Sequence, residues 1–460
     1  MVLCVLFTVS STTLLSQTPS STAGSRTYEA EAKQLISAGL GKGKAYETLE
    51  ELTSKIGPRL SGSPNAQRAV EWAKAKMEEF GFENVHTEPV MVPHWVRGTR
   101  EECEIVNSSA STPVPLKICA LGGSIGTPKD GITAEVIEVH SLDEAKALGE
   151  KAKGKIIFYN RPFDKTKFNT FEMYGGAVDQ RGRGAIEASR VGAVGVIVRS
   201  MSSRLDNVPH TGAMNYNDSI PRIPAAAVST MGADLLSETL KKDGKATVRL
   251  SFDAEWMPDV ESANVLGEIK GSEHPEEVVV MGGHLDSWDK GRGAHDDGAG
   301  IAHSIEALRL LKELGLKPKR TIRVVAFMNE ENGGRGGKAY ADKDRGSEKP
   351  IAAIESDAGG FTPRGFGVTT DSIRFGKVAG WSYLFQGIDA DKIHKGGGGS
   401  DIGPLGAKNV PEFGLSVDGQ RYFDYHHSDS DTIDKVNERE LELGAIAMAI
   451  MSYAIAQEGL

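Results

Sequence analysis

Histidines and carboxylates recur in short groups over the second half of the chain. Residues 283–289, 293–298, 329–334, 355–360 and 425–432 each contain Asp, Glu or His. So many like charges brought together would repel one another unless a cation lay among them. Mixed imidazole and carboxylate donors are ligands of zinc, cobalt or manganese, whereas calcium and magnesium favour oxygen alone. The number of donors exceeds what one zinc needs and fits two metals about 3.5–4 Å apart, bridged by a carboxylate.

Strands and helices that position these groups can be identified from the apolar pattern. Mainly apolar runs predict four buried strands, at residues 278–281, 321–328, 351–354 and 413–417. One or two of the polar groups follow each strand, and a helix ending at Gly315 follows the first. Strands alternating with helices predict an α/β fold with a mostly parallel mixed sheet flanked by helices. Ligands of such sheets bind beyond the carboxyl ends of the strands, so we expect the polar groups to converge there.

Each motif has an ordinary interpretation when taken alone. His284 fits a hydrogen-bonded residue at a strand end, Glu330-Glu331 a solvated pair, and Asp296-Asp297-Gly298 a turn and helix cap. Their occurrence after successive strands favours a metal site instead. Neighbouring residues after a strand point in different directions, so one glutamate can bind metal while the other faces the activated water. The glycine-rich run 395–400 lacks phosphate-cradle spacing, and we interpret it as a flexible active-site loop.

Length and composition limit the classes of protein to consider. The chain has 460 residues, 39% hydrophobic and 25% charged, with a net charge of −10. These values suit a globular protein of two or three domains. The acidic balance and the lack of a dense Lys/Arg run argue against nucleic-acid binding. No apolar run approaches the ~20 residues needed to span a bilayer, so no membrane span is predicted.

The N-terminal residues 1–25 contain no charge and begin with a short apolar stretch, so they resemble a signal peptide that lacks the usual positive start. This favours a secreted or periplasmic protein over a disordered leader. Cys103 and Cys119 could form one disulfide or remain two buried thiols, and the sequence leaves both open. Asn107 and Asn217 match the N-glycosylation pattern, which matters only in a eukaryotic secretory route.

Changes in residue composition along the chain suggest how it is divided into domains. Residues 26–104 form the N-terminal part of the main domain, with a helix capped by Ser63 and begun by Pro64. Residues 105–250 carry short Val/Ile strands broken by Gly and Pro, and we interpret them as an inserted β-rich domain. None of its polar residues is grouped for chemistry. It either shapes a site built elsewhere or only stabilises the fold. Residues 251–460 form the metal-binding part.

The polar motifs together resemble the zinc aminopeptidase/glutamate carboxypeptidase family. The motifs that carry this resemblance are Gly283-His284-Leu285-Asp286-Ser287, Asp296-Asp297-Gly298, Glu330-Glu331, Ser356-Asp357 and His427-Ser428-x-x-Asp431-Thr432. Four further runs extend it outside the metal site: residues 57–63, 93–98, 123–128 and 209–212. The resemblance covers nearly the whole chain from about Gly57, and it implies that the inserted segment is a protease-associated domain.

The family resemblance also implies a role for each site residue. Asp296 would bridge two zinc ions, His284 and Asp357 would complete the ligands of one, and Glu331 and His427 those of the other. Glu330 would be the general base, and Asp286 would orient the His284 ring from behind. His426 competes with His427, and Asp297 with Asp296. A homodimer and a removable prosegment at residues 26–45 are further implications.

These inferences predict an exopeptidase that cleaves small peptides, foremost dipeptides with free termini, using metal-activated water and a glutamate base. One alternative is an aminopeptidase acting on longer peptides through the same site. A second is a non-catalytic, receptor-like relative, against which the complete ligand set argues. A third is a cyclase on the same fold with a single zinc.

Overall fold

The computed structural model describes residues 27–107 and 112–460. The predicted leader 1–25 lies outside these residues, as does part of the first glycosylation pattern. The described helices are α1 (Glu29–Lys42), α2 (Ala45–Glu51), α3 (Pro64–Glu79), α4 (Leu142–Ala147), α5 (Thr170–Gly175), α6 (Asp179–Arg190), α7 (Thr230–Asp243), α8 (Ala299–Glu313), α9 (Arg335–Asp342), α10 (Ser372–Ala379), α11 (Gly403–Gly406), α12 (Tyr422–Tyr425) and α13 (Glu438–Glu458).

The described strands form one large sheet. They are β1 (Glu83–Asn107), β2 (Val114–Pro115), β3 (Ile118–Ala120), β4 (Ile132–Val139), β5 (Ile156–Tyr159), β6 (Gly195–Arg199), β7 (Ala225–Val228), β8 (Thr247–Ile269), β9 (His274–His284), β10 (Arg320–Phe327), β11 (Lys349–Glu355), β12 (Pro363–Thr369), β13 (Lys392–Lys395) and β14 (Glu412–Val417). The spatial order is β13-β12-β14-β11-β9-β10-β8-β4-β5-β6-β7-β3, and β1 lies along β8.

The four strands predicted from the sequence are adjacent in the sheet and run in the same direction. β9 pairs in parallel with both β10 and β11, and β11 pairs in parallel with β14. Their carboxyl ends therefore meet at one edge, as the sequence predicts. Buried helices α8 and α13 pack on each other and cover this part of the sheet. The α/β class with a mixed sheet flanked by helices is confirmed.

A long antiparallel ribbon links this region to the segment 105–250. β1 and β8 pair from Glu83 opposite Glu268 to Asn107 opposite Thr247, with several register shifts. β4 adds to the far end of β8, and β5, β6 and β7 continue the sheet in parallel. The segment also carries helices α4 to α7, so it contains α/β structure as well as the predicted short strands. Its division from the rest as a separate domain stays a prediction.

Local sequence signals explain the start of α3. The Ser63 hydroxyl accepts a hydrogen bond from the Ala66 amide at 3.1 Å, and Pro64 occupies the first turn, as predicted.

Cys103 and Cys119 are both buried and free, so the structure has two thiols rather than a disulfide. Burial raises the pKa of each thiol to about 12. No helix among the described residues is long and apolar enough to cross a membrane.

Candidate metal centre

The predicted ligands come from the ends of four adjacent parallel strands and from the segments that follow them. His284 is the last residue of β9, and Asp296 lies in the segment 294–298, which leads into α8 and is not helical at Asp296. Glu331 follows β10, Asp357 follows β11, and His427 follows α12. All five side chains are brought together at the carboxyl edge of the sheet.

Asp296 lies between two sets of donors. On one side, His284 Nε2 is 3.2 Å from Asp296 Oδ1 and 3.6 Å from Asp357 Oδ1. On the other, His427 Nε2 is 3.2 Å from Asp296 Oδ2 and 3.1 Å from Glu331 Oε2. Each carboxylate oxygen of Asp296 therefore faces its own histidine.

Unsatisfied buried atoms show that this donor set fits a cation. His284 Nε2, Asp296 Oδ2 and Asp357 Oδ1 are buried and make no hydrogen bond among the described residues. Buried polar atoms are normally paired, so three unpaired polar atoms that point to the same place indicate a missing partner. Donor atoms of His284, Asp296 and Asp357 lie within 4.8 Å of one another, as do those of Asp296, His426 and His427. The two groups share Asp296, and their imidazole and carboxylate donors suit zinc.

Geometry separates the competing pairs of neighbours. The rings of His426 and His427 stack with centroids 3.5 Å apart, but His426 Nε2 is 3.8 Å from Asp296 and has no Glu331 contact. The Asp297 carboxylate accepts hydrogen bonds from the amides of His284 at 3.0 Å and Gly300 at 2.9 Å. Asp297 therefore supports the backbone, and Asp296 faces the donors.

The contact between Asp286 and His284 differs from the prediction. The His284 Nδ1 atom lies 3.0 Å from the backbone carbonyl of Asp286, whereas the Asp286 carboxylate is 3.9 Å away. The carboxylate is turned toward the next strand, where Oδ1 accepts the amides of Asn329 at 2.7 Å and Glu330 at 3.1 Å. Asp286 thus holds the His284 ring through its main chain and the Glu330 turn through its side chain.

Electrostatics of the cluster reflect crowded carboxylates in a buried place. Burial and the neighbouring Asp296 raise the pKa of Glu331 to about 8. Burial disfavours a charged His427, but Glu331 and Asp296 beside it raise its pKa to about 10. Burial also raises the pKa of Asp357, to about 6. A cation among these side chains would replace the protons that otherwise relieve their repulsion.

A cavity of about 260 Å³, which we call the central cavity, opens onto the cluster. One of the residues that line it was missed by sequence reasoning. The central cavity is lined by Asp296, Glu330, Glu331, Asp357 and His427, and also by Arg181 from α6 in the segment 105–250. The prediction that no polar residue of that segment is grouped for chemistry is therefore wrong at Arg181. No sequence signal marks it, because the contact joins residues more than 100 positions apart.

Arg181 is buried without a carboxylate partner among the described residues. Its guanidinium donates to the Tyr174 hydroxyl at 2.6 Å and to the Ala213 carbonyl at 3.3 Å, and lies 5.4 Å from the Tyr174 ring centroid. Buried arginines are normally paired with acids. An unpaired one lining a cavity is available to an anionic ligand.

The glycine-rich run also reaches this cavity, through Ser400. Glu355 Oε2 accepts the amides of Asp401 at 3.1 Å and Ile402 at 2.9 Å, which anchors the end of the run. A Cβ at Gly399 would lie 2.0 Å from the Glu355 side chain, so glycine is required there. The predicted position beside the site is thus observed, and the flexibility of the loop stays a prediction.

Comparison with known proteins agrees with this geometry. The model of peptidase family M28 matches residues 264–452. Carboxypeptidase Q from Bos taurus is 39% identical over 434 residues, covering 93% of this chain and 89% of that protein. Human carboxypeptidase Q is 38% identical over 419 residues, covering 91% and 86%. The crystal structure of a peptidase M28 precursor from Shewanella amazonensis SB2B superposes with a TM-score of 0.89 and 36% identity, covering 94% of this chain and 97% of that one.

The chain belongs to peptidase family M28. Its similarity to carboxypeptidase Q over almost the whole length confirms the family resemblance predicted from the motifs. The prediction of a zinc-dependent metallo-exopeptidase is confirmed as a class, and the non-catalytic, receptor-like alternative is thereby disfavoured. A zinc aminopeptidase from Bacillus subtilis, at 20% identity and a TM-score of 0.66, shares the fold.

Proposed function

We propose that the protein is a dinuclear zinc exopeptidase that cleaves small peptides, foremost dipeptides with free termini. The observation that carries this proposal is Asp296, whose two oxygens face separate donor sets 3.2 Å away. In this proposal two zinc ions would share the Asp296 carboxylate. His284 and Asp357 would complete the ligands of one ion, and Glu331 and His427 those of the other.

Glu330 is the proposed general base. Two zinc ions would lower the pKa of a water molecule and polarise the scissile carbonyl. Glu330 lines the central cavity and is only half-buried, while its neighbour Glu331 is buried against His427. In the proposed cycle the Glu330 carboxylate takes the proton of the attacking water and later donates it to the departing amine.

Arg181 supports the preference for a free carboxyl terminus. Its guanidinium lines the same cavity as Glu330 and has no acid to neutralise it among the described residues. A guanidinium binds a carboxylate through paired, charge-assisted hydrogen bonds. We propose that Arg181 binds the α-carboxylate of the substrate, which limits the residues that can follow the scissile bond to one.

Zinc content and peptide hydrolysis, measured on the same samples, test the proposal. We expect about two zinc per chain, and activity that is lost with chelator and restored with zinc. A free dipeptide should be cleaved well, and the same dipeptide with a C-terminal amide poorly. Equal cleavage of the amide and of longer peptides would indicate the aminopeptidase alternative. Full zinc occupancy with cleavage of no peptide would contradict the proposal, and one zinc per chain without release of amino acids would indicate the cyclase.

The location is proposed from the signal-like residues 1–25, and the assembly from the family resemblance. We propose that the enzyme is secreted or periplasmic and forms a homodimer. Fractionation of the native host, followed by sedimentation analysis of the purified enzyme, tests both. Recovery from the cytoplasm or a monomeric sedimentation coefficient would contradict the respective proposal.

A further inference from the structure

A second cavity, of about 690 Å³, adjoins the central one. The two share Ala213, Glu330 and Glu331, so the second cavity opens directly beside the proposed general base. Its wall is made by Gly122, Gly123, Met214, Tyr216 and Trp256, from segments that lie far apart in sequence. We call it the side cavity. Apart from the shared Glu330 and Glu331, none of the described residues that line it has a role in the chemistry proposed above.

The aromatic part of the side cavity, Tyr216 and Trp256, presents carbon surface because the polar atoms of both side chains are already hydrogen-bonded. The Trp256 indole N–H donates to the Gly123 carbonyl at 2.9 Å. The Tyr216 hydroxyl donates to the Ile223 carbonyl at 2.6 Å and accepts the Ile125 amide at 3.0 Å. Both rings are therefore left with carbon surface toward the cavity. Trp256 is 40% exposed, so part of its ring is open to contact with a bound side chain.

The charged residues that line the side cavity are Glu330 and Glu331, which it shares with the central cavity, and the ion pair of Arg222 and Asp218. Arg222 pairs with Asp218 at 2.9 Å, and its guanidinium also lies 5.4 Å from the Tyr216 ring centroid. Larger residues are not readily accommodated at positions 122 and 123. A Cβ at Gly122 would lie 1.8 Å from the Trp288 ring, and Gly123 has a φ of +91°.

The position of Arg181 orients a substrate in the two cavities. Arg181 donates to the carbonyl of Ala213, the residue that lines both. A carboxylate bound to Arg181 therefore places the Cα of the same amino acid next to Ala213. Glu330 also borders both cavities, where the departing amine of that amino acid must receive its proton. The side chain of that C-terminal amino acid would then extend into the side cavity.

We infer that the side cavity binds the side chain of the C-terminal residue of the substrate, and that it selects large apolar or aromatic side chains. This inference rests on the proposed peptidase function and on the role of Arg181. It predicts that dipeptides ending in Phe or Leu are better substrates than dipeptides ending in Gly, Asp or Lys.

The test compares Ala-Phe with Ala-Gly as substrates of the zinc-loaded enzyme and of W256A. We expect Trp256→Ala to lower kcat/KM for Ala-Phe by about tenfold while changing that for Ala-Gly by less than about twofold. W256F keeps an aromatic face and should restore most of the Ala-Phe rate. Met257→Ala is the matched control, because Met257 is the next residue of β8, is similarly exposed at 41%, and points to the opposite face.

The outcomes separate the subsite from the function on which it depends. A preference for Ala-Phe that W256A abolishes and M257A leaves intact supports the inference. Cleavage of both dipeptides with a ratio that W256A does not change would overturn the subsite and leave the peptidase function standing. Cleavage of neither by the parent enzyme would overturn both.

Discussion

Two adjacent glutamates receive different environments from a single backbone turn. Asn329 has a φ of +74°, and its amide and that of Glu330 are both held by Asp286. After this turn Glu331 points into the cluster, where its second oxygen accepts the Trp288 amide at 3.2 Å. Glu330 remains half-buried in the cavity. The same residue type is thereby placed once as a proposed ligand and once as a proposed base.

The Glu330→Gln variant should separate these two roles. The amide cannot take a proton from water, so we expect kcat to fall by about 10²- to 10⁴-fold, while zinc content stays at the parental value. Turnover with saturating dipeptide and metal analysis of the same preparation check this. A variant that keeps a near-parental rate would remove Glu330 from the proposed chemistry, and one that loses zinc would make it a ligand.

Zinc content can also show which of the stacked residues His426 and His427 is a metal ligand. His427 contacts both Asp296 and Glu331, whereas His426 reaches only Asp296, at 3.8 Å. We expect His427→Ala to lose about one zinc per chain and His426→Ala to retain both. The opposite pattern would assign the ligand to His426.

At the scale of elements, a loop of the segment 105–250 supports the proposed ligand His427. His210 Nδ1 lies 2.7 Å from the His426 carbonyl, and the Thr211 amide donates to the His427 carbonyl at 2.9 Å. Gly212 follows with a φ of +132°, and a Cβ there would lie 2.7 Å from His427 Nδ1. This loop therefore fixes the main chain on which the His427 ring depends.

Loss of the His210 contact should weaken zinc binding rather than the fold alone. We expect His210→Ala to raise the zinc dissociation constant by about tenfold, because loss of a residue that supports a metal ligand typically has an effect of this size. H210N should restore much of the zinc affinity, because its side-chain amide can donate the hydrogen bond instead. Chelator competition measures the constant. Ser237→Ala is the control, because it removes a buried hydroxyl contact to Glu138 in the same segment. Equal constants for H210A and S237A would show a structural role only.

The elements that sequence reasoning predicted differ physically from those it missed. β9, β10, β11 and β14 each contain a short, mainly apolar run followed by a polar group, so local pattern was enough to predict these strands and the candidate ligands after them. The ribbon of β1 and β8 carries many charged residues and register shifts, which hide the alternation of a strand. No local pattern indicates the positions of Arg181 and His210 beside the site: Arg181 shares the central cavity with Asp296, more than 100 positions away, and His210 contacts His426, more than 200 positions away.

At the scale of the molecule, the predicted prosegment overlaps α1, which is packed into the main core. Ala32 and Leu35 are buried in that core, and a Cβ at Gly39 would lie 2.4 Å from Ile446 of α13. The Tyr28 hydroxyl donates to Glu458 at the other end of α13, at 2.6 Å. None of the residues that line the central cavity comes from α1. α1 therefore contributes to stability and does not cover the site.

A substitution in α1 should reduce stability and leave catalysis intact. Leu35 is fully buried, so we expect Leu35→Ala to lower the free energy of unfolding by about 2–5 kcal/mol with unchanged kcat of the folded enzyme. Urea unfolding and dipeptide turnover measure the two. The exposed Lys33→Ala on the same helix should change neither. An increase in kcat for L35A would instead indicate an inhibitory prosegment.

Glu442, which links α13 to the N-terminal helices, should make the free energy of unfolding depend on pH. Glu442 accepts the Ala45 amide at 2.7 Å, and its other oxygen is buried with no hydrogen-bond partner in the described part of the chain. Burial and the nearby Glu306 raise the pKa of Glu442 from 4.5 to about 7. The folded state therefore holds a proton that the unfolded chain releases near pH 4.5. The contribution of Glu442 to stability is complete below that pH and is lost as pH rises to about 7.

Replacing Glu442 by Gln removes this dependence, because the amide carries no charge and its oxygen can still accept the Ala45 amide. We expect E442Q to be more stable than the parent at pH 8, by up to about 3 kcal/mol, and nearly equal to it at pH 4.5. Urea unfolding at both pH values measures the difference, and comparing variants at each pH cancels effects that both share, including those of the metal centre. A difference that is the same at both values would show that Glu442 is not charged in the folded protein at pH 8.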